Sequence, residues 1–168
     1  GVLPEYAGLN APVWAIIQGA PEYGVTWHLM TEDVDRGDVL REAKFRLDDD
    51  ETALSLNARC FEAGLESFVD LLDDIANDAL APQAQPLDGG RVFKRSDRPS
   101  HSCVLDFTSS SSELDALIRA LDFGPYANPV GLPKVVCGDR AWLVSAARAS
   151  TDASRPPHTR PGDVLAVE

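Results

Sequence analysis

Side chains that transfer protons lie close together within residues 25–38 of the chain. His28 belongs to the segment VTWHLM, residues 25–30, whose β-branched and aromatic side chains predict a buried strand. The acidic segment TEDVDRGD follows directly, over residues 31–38, and contains a glycine typical of a loop. Carboxylates on such a loop take up protons or orient water molecules. The loop carries three aspartates: Asp33, Asp35 and Asp38.

Each of these groups also has an ordinary structural explanation. A histidine in an apolar strand is more often a core residue with satisfied hydrogen bonds, and carboxylates in a loop are more often simply solvated. A cation site is a further alternative, although the EF-hand pattern is missing and no second cluster of ligands follows. The order of strand and loop favours a functional site, because in open α/β sheets ligands bind beyond the carboxyl ends of the strands.

Regular elements on both sides must hold this strand and loop in place. Leu3-Pro4 and Gly8 predict a turn. Residues 10–19 predict a helix that opens with a capping asparagine and ends in a glycine. After the loop, residues 39–47 alternate apolar and charged side chains, which is typical of a strand with one exposed face.

The rest of the chain predicts a long helix, a connection and a second unit. Leucines and aromatic residues recur at helical spacing over residues 51–77. Residues 81–104 are rich in proline and glycine and predict a linker or an extended crossing. The segment SELDALIRAL predicts a short amphipathic helix capped by Ser111 or Ser112. Short strands with proline-rich turns then indicate a small β-barrel within residues 105–168. These strands are predicted at residues 133–137, 141–149 and 163–168.

The composition excludes several classes of protein. A chain of 168 residues that is 44% hydrophobic and 25% charged is ordinary for one globular domain or two small ones. No apolar run approaches the roughly 20 residues that cross a bilayer. The net charge of −12 lies almost wholly in residues 1–110 and disfavours non-specific binding to nucleic acids. Three scattered cysteines predict neither a zinc knuckle nor a disulfide framework, and they fit a reducing cytoplasm.

The chain resembles the folate-dependent formyltransferases, which include the methionyl-tRNA, glycinamide ribonucleotide and sugar N-formyltransferases. The family pattern is a Leu-Pro turn, a helix that ends in glycine, a strand, and a loop of the form Leu/Val-Asp-x-Gly-Asp. The residues that match it are Leu3, Pro4, Gly8, Gly19, Gly24, Thr26, Val34, Asp35, Gly37 and Asp38. The resemblance continues through ETALSLNARCFEAGLESFVDLL and LDALIRALDFGPYANPVGLPK, so it covers nearly the whole chain.

The resemblance implies an α/β fold in two parts. Residues 1–80 would form the C-terminal part of a Rossmann-like formyltransferase domain, residues 81–104 a linker, and residues 105–168 a partial OB-like β-barrel. In the family, an Asn-x-His pair immediately precedes the Leu-Pro turn, and this pair would lie upstream of Gly1. We therefore expect the chain to be a fragment of a longer protein, inactive by itself.

The resemblance also implies an activity and its site. A formyl group moves from 10-formyltetrahydrofolate, without a metal, to an amine that loses a proton, while hydrogen-bond donors stabilise an oxyanion. At the matching positions, Asp35 would be catalytic by fixing the water and the histidine that shuttle protons, and His28 would support its loop. The folate would contact residues of the turn and the loop: Gly1, Val2, Leu3, Pro4, Asp33, Val34 and Gly37.

The acceptor amine has several candidates. Stretches such as GLNAPVWAI and RALDFGPYANPVGLPK are most similar to formyltransferase domains of peptide-synthetase or polyketide assembly lines. There the acceptor is an aminoacyl group on a carrier protein. The acidic charge weakly favours it over methionyl-tRNA, and an amino-sugar nucleotide is the third candidate. A non-catalytic, formyltransferase-like scaffold is an alternative of another class, although nothing in packing requires a carboxylate at Asp35.

Overall fold

The computed structural model describes residues 1–86, 90–147 and 160–163, and these residues form an α/β structure. The described residues contain three helices and three two-stranded sheets. In chain order the elements are β1 (Tyr6–Gly8), α1 (Ala11–Ile17), β2 (Glu22–His28), β3 (Val39–Arg46), α2 (Ala53–Ala76), β4 (Arg91–Phe93), α3 (Ser111–Ala120), β5 (Lys134–Cys137) and β6 (Arg140–Leu143). The α/β class predicted from the sequence is confirmed.

Strands β2 and β3 form an antiparallel pair on either side of the acidic loop. β2 begins at Glu22 and ends at His28, whereas the apolar composition predicts a strand over residues 25–30. Tyr23 is fully buried near the start of β2, while Met30 is 95% exposed and lies beyond its end. The predicted strand is therefore shifted, because apolar residues continue into the loop after burial has ended.

Helix α2 begins at a side-chain cap, whereas α1 does not. At the start of α2, the Thr52 hydroxyl accepts the backbone N–H of Ser55, and the Ser55 hydroxyl accepts that of Thr52. Asn10 precedes α1 with a left-handed φ of 55°, and its side chain makes no capping hydrogen bond. The capping role predicted for Asn10 is therefore wrong. α1 depends instead on burial, since Val13 and Ala15 are completely inaccessible to solvent.

The long helix α2 buries only part of its apolar surface. Leu56 and Leu71 are buried. Several other apolar residues that fit the helical period are exposed: Phe61, Leu65, Phe68, Leu72 and Ile75. The period therefore predicts the helix correctly but does not show which of its apolar residues reach the core. Within the part of the chain that the structure describes, no helix is long and apolar enough to cross a membrane.

The core includes a strand from the segment that the sequence predicts as a linker. β4, inside residues 81–104, pairs in parallel with β1 and places Phe93 opposite Gly8. Phe93 is 1% exposed and stacks on Trp14, with 4.9 Å between the ring centroids. The segment thus contributes to the core. Its strand has three residues, which are too few to show a period in the sequence.

The second unit packs on the first through α3. Ala120 of α3 belongs to the same hydrophobic core as α1, and the two helices are in contact. β5 and β6 form an antiparallel pair, and among the described residues the expected OB-like barrel is not confirmed. Of the strand expected over residues 141–149, the structure shows β6, and residues 148–149 lie outside the described residues. The strand expected over 163–168 lies almost wholly outside them, and the division into domains stays a prediction.

The N-cap of α3 leads to a prediction about stability. The Ser110 hydroxyl accepts the backbone N–H of Glu113 at 3.2 Å, so the cap is neither Ser111 nor Ser112. We expect Ser110→Ala to lower the free energy of unfolding by about 1 kcal/mol in urea denaturation. Ser111→Ala is the control, since this hydroxyl has no hydrogen bond among the described residues, and we expect it to cost less than about 0.5 kcal/mol. Equal losses in the two variants would contradict the assignment of the cap.

Candidate active site

The structure brings His28 and Asp35 together where β2 enters the acidic loop. His28 Nε2 lies 3.5 Å from Asp35 Oδ1. The other carboxylate oxygen, Asp35 Oδ2, accepts the backbone N–H of Gly8 at 2.7 Å. One residue from each of three neighbouring segments thus meets here: the end of β1, the end of β2, and the loop. The carboxylate is anchored on one oxygen and faces the imidazole with the other.

The hydrogen bonds of the imidazole determine what the pair can do. His28 Nδ1 lies 2.9 Å from the carbonyl oxygen of Leu29, which can only accept, so Nδ1 carries a hydrogen. Nε2 then donates to Asp35 only when the ring is protonated, and the neutral ring presents a lone pair at Nε2. The His28 and Asp35 side chains are 22% and 32% exposed. Solvent or a ligand could therefore reach both side chains.

The backbone of the loop is tightly constrained around Asp35. Asp35 has a left-handed φ of 55°, a conformation that few residues other than glycine, asparagine and aspartate adopt. The carbonyl oxygen of Asp38 accepts the N–H of Leu29 at 2.9 Å and closes the loop at its base. A Cβ atom at Gly37 would overlap the carbonyl oxygen of Leu29. Only glycine therefore allows this close approach of the two ends of the loop.

A cavity of about 610 Å³ opens beside the loop. That volume lies within the range of roughly 300–1,000 Å³ that is usual for small-molecule sites. Asp33 and Val34, two of the residues predicted to contact folate, line it. The other lining residues are Arg36, Gln85, Pro86 and Val92. The cavity thus offers a carboxylate, a guanidinium and an amide beside apolar surface.

The turn residues lie elsewhere. Gly1, Val2, Leu3 and Pro4 are not among the residues that line this cavity in the described structure. Val2 and Leu3 are buried, and the Leu3 backbone N–H donates to the Thr26 hydroxyl at 3.2 Å. The turn is therefore tied to β2 and leads through β1 to Gly8. Its contact with folate stays a prediction.

Gly1 lines a second, more apolar groove of about 490 Å³ between β2 and α2. Trp27, Phe61 and Phe68 also line it, and so does Cys60. Burial raises the pKa of the Cys60 thiol to about 11, so at neutral pH the thiol is overwhelmingly protonated. A protonated thiol is a poor nucleophile, and this groove is not a second catalytic centre of the cysteine type.

Gln85 is a residue of the site that the sequence does not predict. Its side-chain amide donates to the carbonyl oxygens of Asp35 and Gly37, at 3.0 and 2.6 Å. It lies in APQAQP, which reads as part of a linker, and a side chain that binds backbone carbonyls leaves no periodic signal. Within the described residues, no group of three or more histidine, cysteine, aspartate or glutamate side chains is arranged to hold a metal.

Comparison with a family model and with curated proteins gives the same family in both cases. Residues 1–72 match the model of the formyl transferase family. The methionyl-tRNA formyltransferase of Lachnospira eligens is 34% identical over 126 residues, which are 75% of this chain and 39% of that protein. The corresponding enzyme of Halorhodospira halophila is 32% identical over 166 residues, 99% of this chain and 50% of that protein. The chain thus spans half or less of the length of these relatives.

Solved structures show the same likeness. The N-formyltransferase from Helicobacter canadensis, in complex with folinic acid and dTDP-3-aminofucose, is 25% identical, with a TM-score of 0.65 over 70% of this chain and 44% of that chain. A 4-N formyltransferase from Francisella tularensis has a TM-score of 0.72 over 90% of this chain and 61% of that chain, at 23% identity. The second likeness concerns the fold alone. It extends over most of the described residues.

Proposed function

This chain belongs to the formyltransferase family, and we propose from that premise that its protein transfers a formyl group from 10-formyltetrahydrofolate to an amine. The observation that carries the proposal is the Asp35 carboxylate, anchored by Gly8 and facing His28 beside a cavity of suitable size. Packing does not require a carboxylate at this place. A carboxylate here can serve in the proton transfer that accompanies the attack of an amine.

The chemistry that we assign to the residues of this chain is proton transfer. The folate supplies the formyl group in a form that an amine can attack. As the amine attacks, it becomes more acidic and must lose a proton. Asp35 Oδ1 and His28 Nε2 form a relay of 3.5 Å that accepts the proton, directly or through one water molecule. Gly8 fixes the other oxygen of Asp35, so the carboxylate does not have to reorient during the reaction.

The residues around the cavity fit the donor that we propose. A pterin ring is flat, with apolar faces and an edge of amide-like donors and acceptors. Val34 and Val92 offer apolar surface, while Asp33 and Arg36 offer polar groups. The folinic acid in the Helicobacter canadensis structure is a formylated folate bound by a similar protein. We therefore keep Asp33, Val34 and Gly37 as the proposed binding residues of the loop, and the turn from Gly1 to Pro4 as a predicted contact.

For the acceptor we propose an aminoacyl amine on a carrier protein. The acidic character of the chain is compatible with it and unfavourable for contact with a phosphate backbone. Methionyl-tRNA is the second candidate, because the relatives from Lachnospira eligens and Halorhodospira halophila carry that name. An amino-sugar nucleotide is the third, since dTDP-3-aminofucose is bound in the Helicobacter canadensis structure. All three present a primary amine, and all are compatible with the proposed cytoplasmic location.

A competition assay tests the donor and the acceptor together. The intact protein is incubated with 10-formyltetrahydrofolate labelled in the formyl group and with aminoacyl carrier protein, methionyl-tRNA or a dTDP-amino sugar. We expect the label on one acceptor class at a kcat/KM at least tenfold above the others, with the carrier protein favoured. Label on another class would overturn the proposed acceptor only. No label on any of them, from a folded protein, would overturn the proposed activity and favour a scaffold.

A further inference from the structure

Asp35 needs support from outside its own loop. Its left-handed backbone is unfavourable for a residue with a side chain, and the loop that carries it is largely exposed. Gly8 binds the carboxylate but not the backbone that carries it. The structure places one side chain against that backbone, and this side chain is Gln85.

We propose that Gln85 is a positioning residue that holds the loop in the conformation in which Asp35 faces His28. The inference rests on the proposed function, to which it adds a residue that does not touch the reacting groups. The Gln85 amide nitrogen donates to the carbonyl oxygens of Asp35 and Gly37, at 3.0 and 2.6 Å. These two carbonyls flank Arg36, so one amide group clamps the centre of the loop.

The orientation of the amide is determined by its surroundings. Two carbonyl oxygens face the Gln85 amide nitrogen, and carbonyl oxygens only accept hydrogen bonds, so the NH₂ end must point to them. The opposite atom, Oε1, is buried and has no donor among the described residues. A buried acceptor without a partner is unfavourable, so packing alone would favour an apolar side chain. The two bonds to the loop explain why an amide is useful here.

The segment that carries Gln85 is itself anchored to the same hairpin. Gln83 and Val39 exchange two backbone hydrogen bonds of 2.8 Å, and Val39 begins β3 directly after the loop. Gln85 follows two residues later and reaches back over the loop. The clamp is thus attached to β3 at one end and to the Asp35 backbone at the other, which restricts the loop in both directions.

The test compares the same substitution at two glutamines. Gln85→Glu keeps the shape but turns a double donor into an acceptor that two carbonyls repel. Gln83→Glu is the matched control, because the Gln83 side chain is exposed and its backbone bonds to Val39 do not depend on it. Gln85→Met is a second variant that removes the donors without adding charge, in case the glutamate prevents folding.

The first measurement is hydrogen exchange at the Gly8 amide in the intact protein without ligands. We expect exchange to be at least tenfold faster in Gln85→Glu and Gln85→Met, because Gly8 is protected by its bond to Asp35, and unchanged in Gln83→Glu. Unchanged exchange in both Gln85 variants would overturn the proposal. Because this measurement needs neither donor nor acceptor, it remains decisive even if the proposed activity fails.

The second measurement separates positioning from simple stabilisation. In Gln85→Met we expect kcat to fall about tenfold, with a changed pH profile and a KM for the amine within about twofold of the parent. A purely structural role would lower the melting temperature and the amount of active enzyme without changing the pH profile. That pattern would also overturn the proposal.

Discussion

In the intact protein, replacement of Asp35 by asparagine is expected to lower the kcat of the proposed formyl transfer by about a hundredfold or more, with little effect on the fold. Asparagine is one of the few residues that tolerate the left-handed φ of 55° found here. Its carbonyl oxygen can still accept the Gly8 N–H, so the anchor is retained. The negative charge beside His28 is lost, and an amide nitrogen that cannot accept a proton takes the place of the oxygen that faces Nε2.

The control for this experiment is Glu32→Gln. Glu32 is an exposed carboxylate of the same loop, without a hydrogen bond or ion pair among the described residues, and its substitution makes the same change in charge. We expect its kcat to stay within about twofold of the parent. A large loss of kcat in Asp35→Asn could then not be attributed to the removal of one negative charge from the loop. Both variants should melt within a few degrees of the parent. An unchanged kcat in Asp35→Asn would refute the proton role of this carboxylate.

The second large effect is expected from Gly8→Ala, which should lower the free energy of unfolding by about 2–4 kcal/mol. Gly8 has a φ of 89°, which strains any residue with a side chain, and an added Cβ would overlap the carbonyl oxygen of Phe93. Phe93 is a core residue of β4 and cannot move aside without disturbing its stacking on Trp14. Denaturation in urea measures the loss, and formyl transfer should fall too, because Gly8 anchors Asp35.

Gly64→Ala is the matched control for Gly8→Ala. Gly64 lies inside α2, has no positive φ, and an added Cβ would meet no atom within 4 Å. Alanine is the better helix former, so the same added methyl group should here stabilise the protein by about 0.5–1 kcal/mol. We expect the free energy of unfolding to fall in Gly8→Ala and to rise in Gly64→Ala. Equal stability of Gly8→Ala and the parent would show that the β1–β4 contact is not formed as described.

The predictable parts of the fold have long patterns or strong local signals. The helical period of α2 extends over 24 residues. The pairing of β2 with β3 follows from two strands around a short loop. β1 and β4 are not predicted, because each has three residues and the two strands lie far apart in the sequence. Short parallel strands depend on tertiary contacts that a local pattern does not contain.

The sequence predicts that His28 and Asp35 lie together, but it does not predict that Gln85 holds the loop that carries Asp35. A histidine at the end of a strand and an aspartate in the next loop are expected to lie near one another, and the structure places them 3.5 Å apart. Their catalytic roles stay predictions. The Gln85 clamp was not predictable, because it joins residues 50 and 48 positions apart through an amide in an irregular segment. The predicted contact of the turn from Gly1 to Pro4 with folate stays a prediction.

The pairing of β1 with β4 also has a consequence for the order of events during synthesis. Tyr6 pairs with Arg91, so the register of β1 cannot be established until the ribosome has also made β4. A nascent chain can form the β2–β3 hairpin and α2 early, because their contacts are nearly local. Gly8 acquires its fixed position last, and with it the anchor of Asp35. A chain that is released before Phe93 would therefore contain every proton-transferring residue of the site described here and still lack the assembled site.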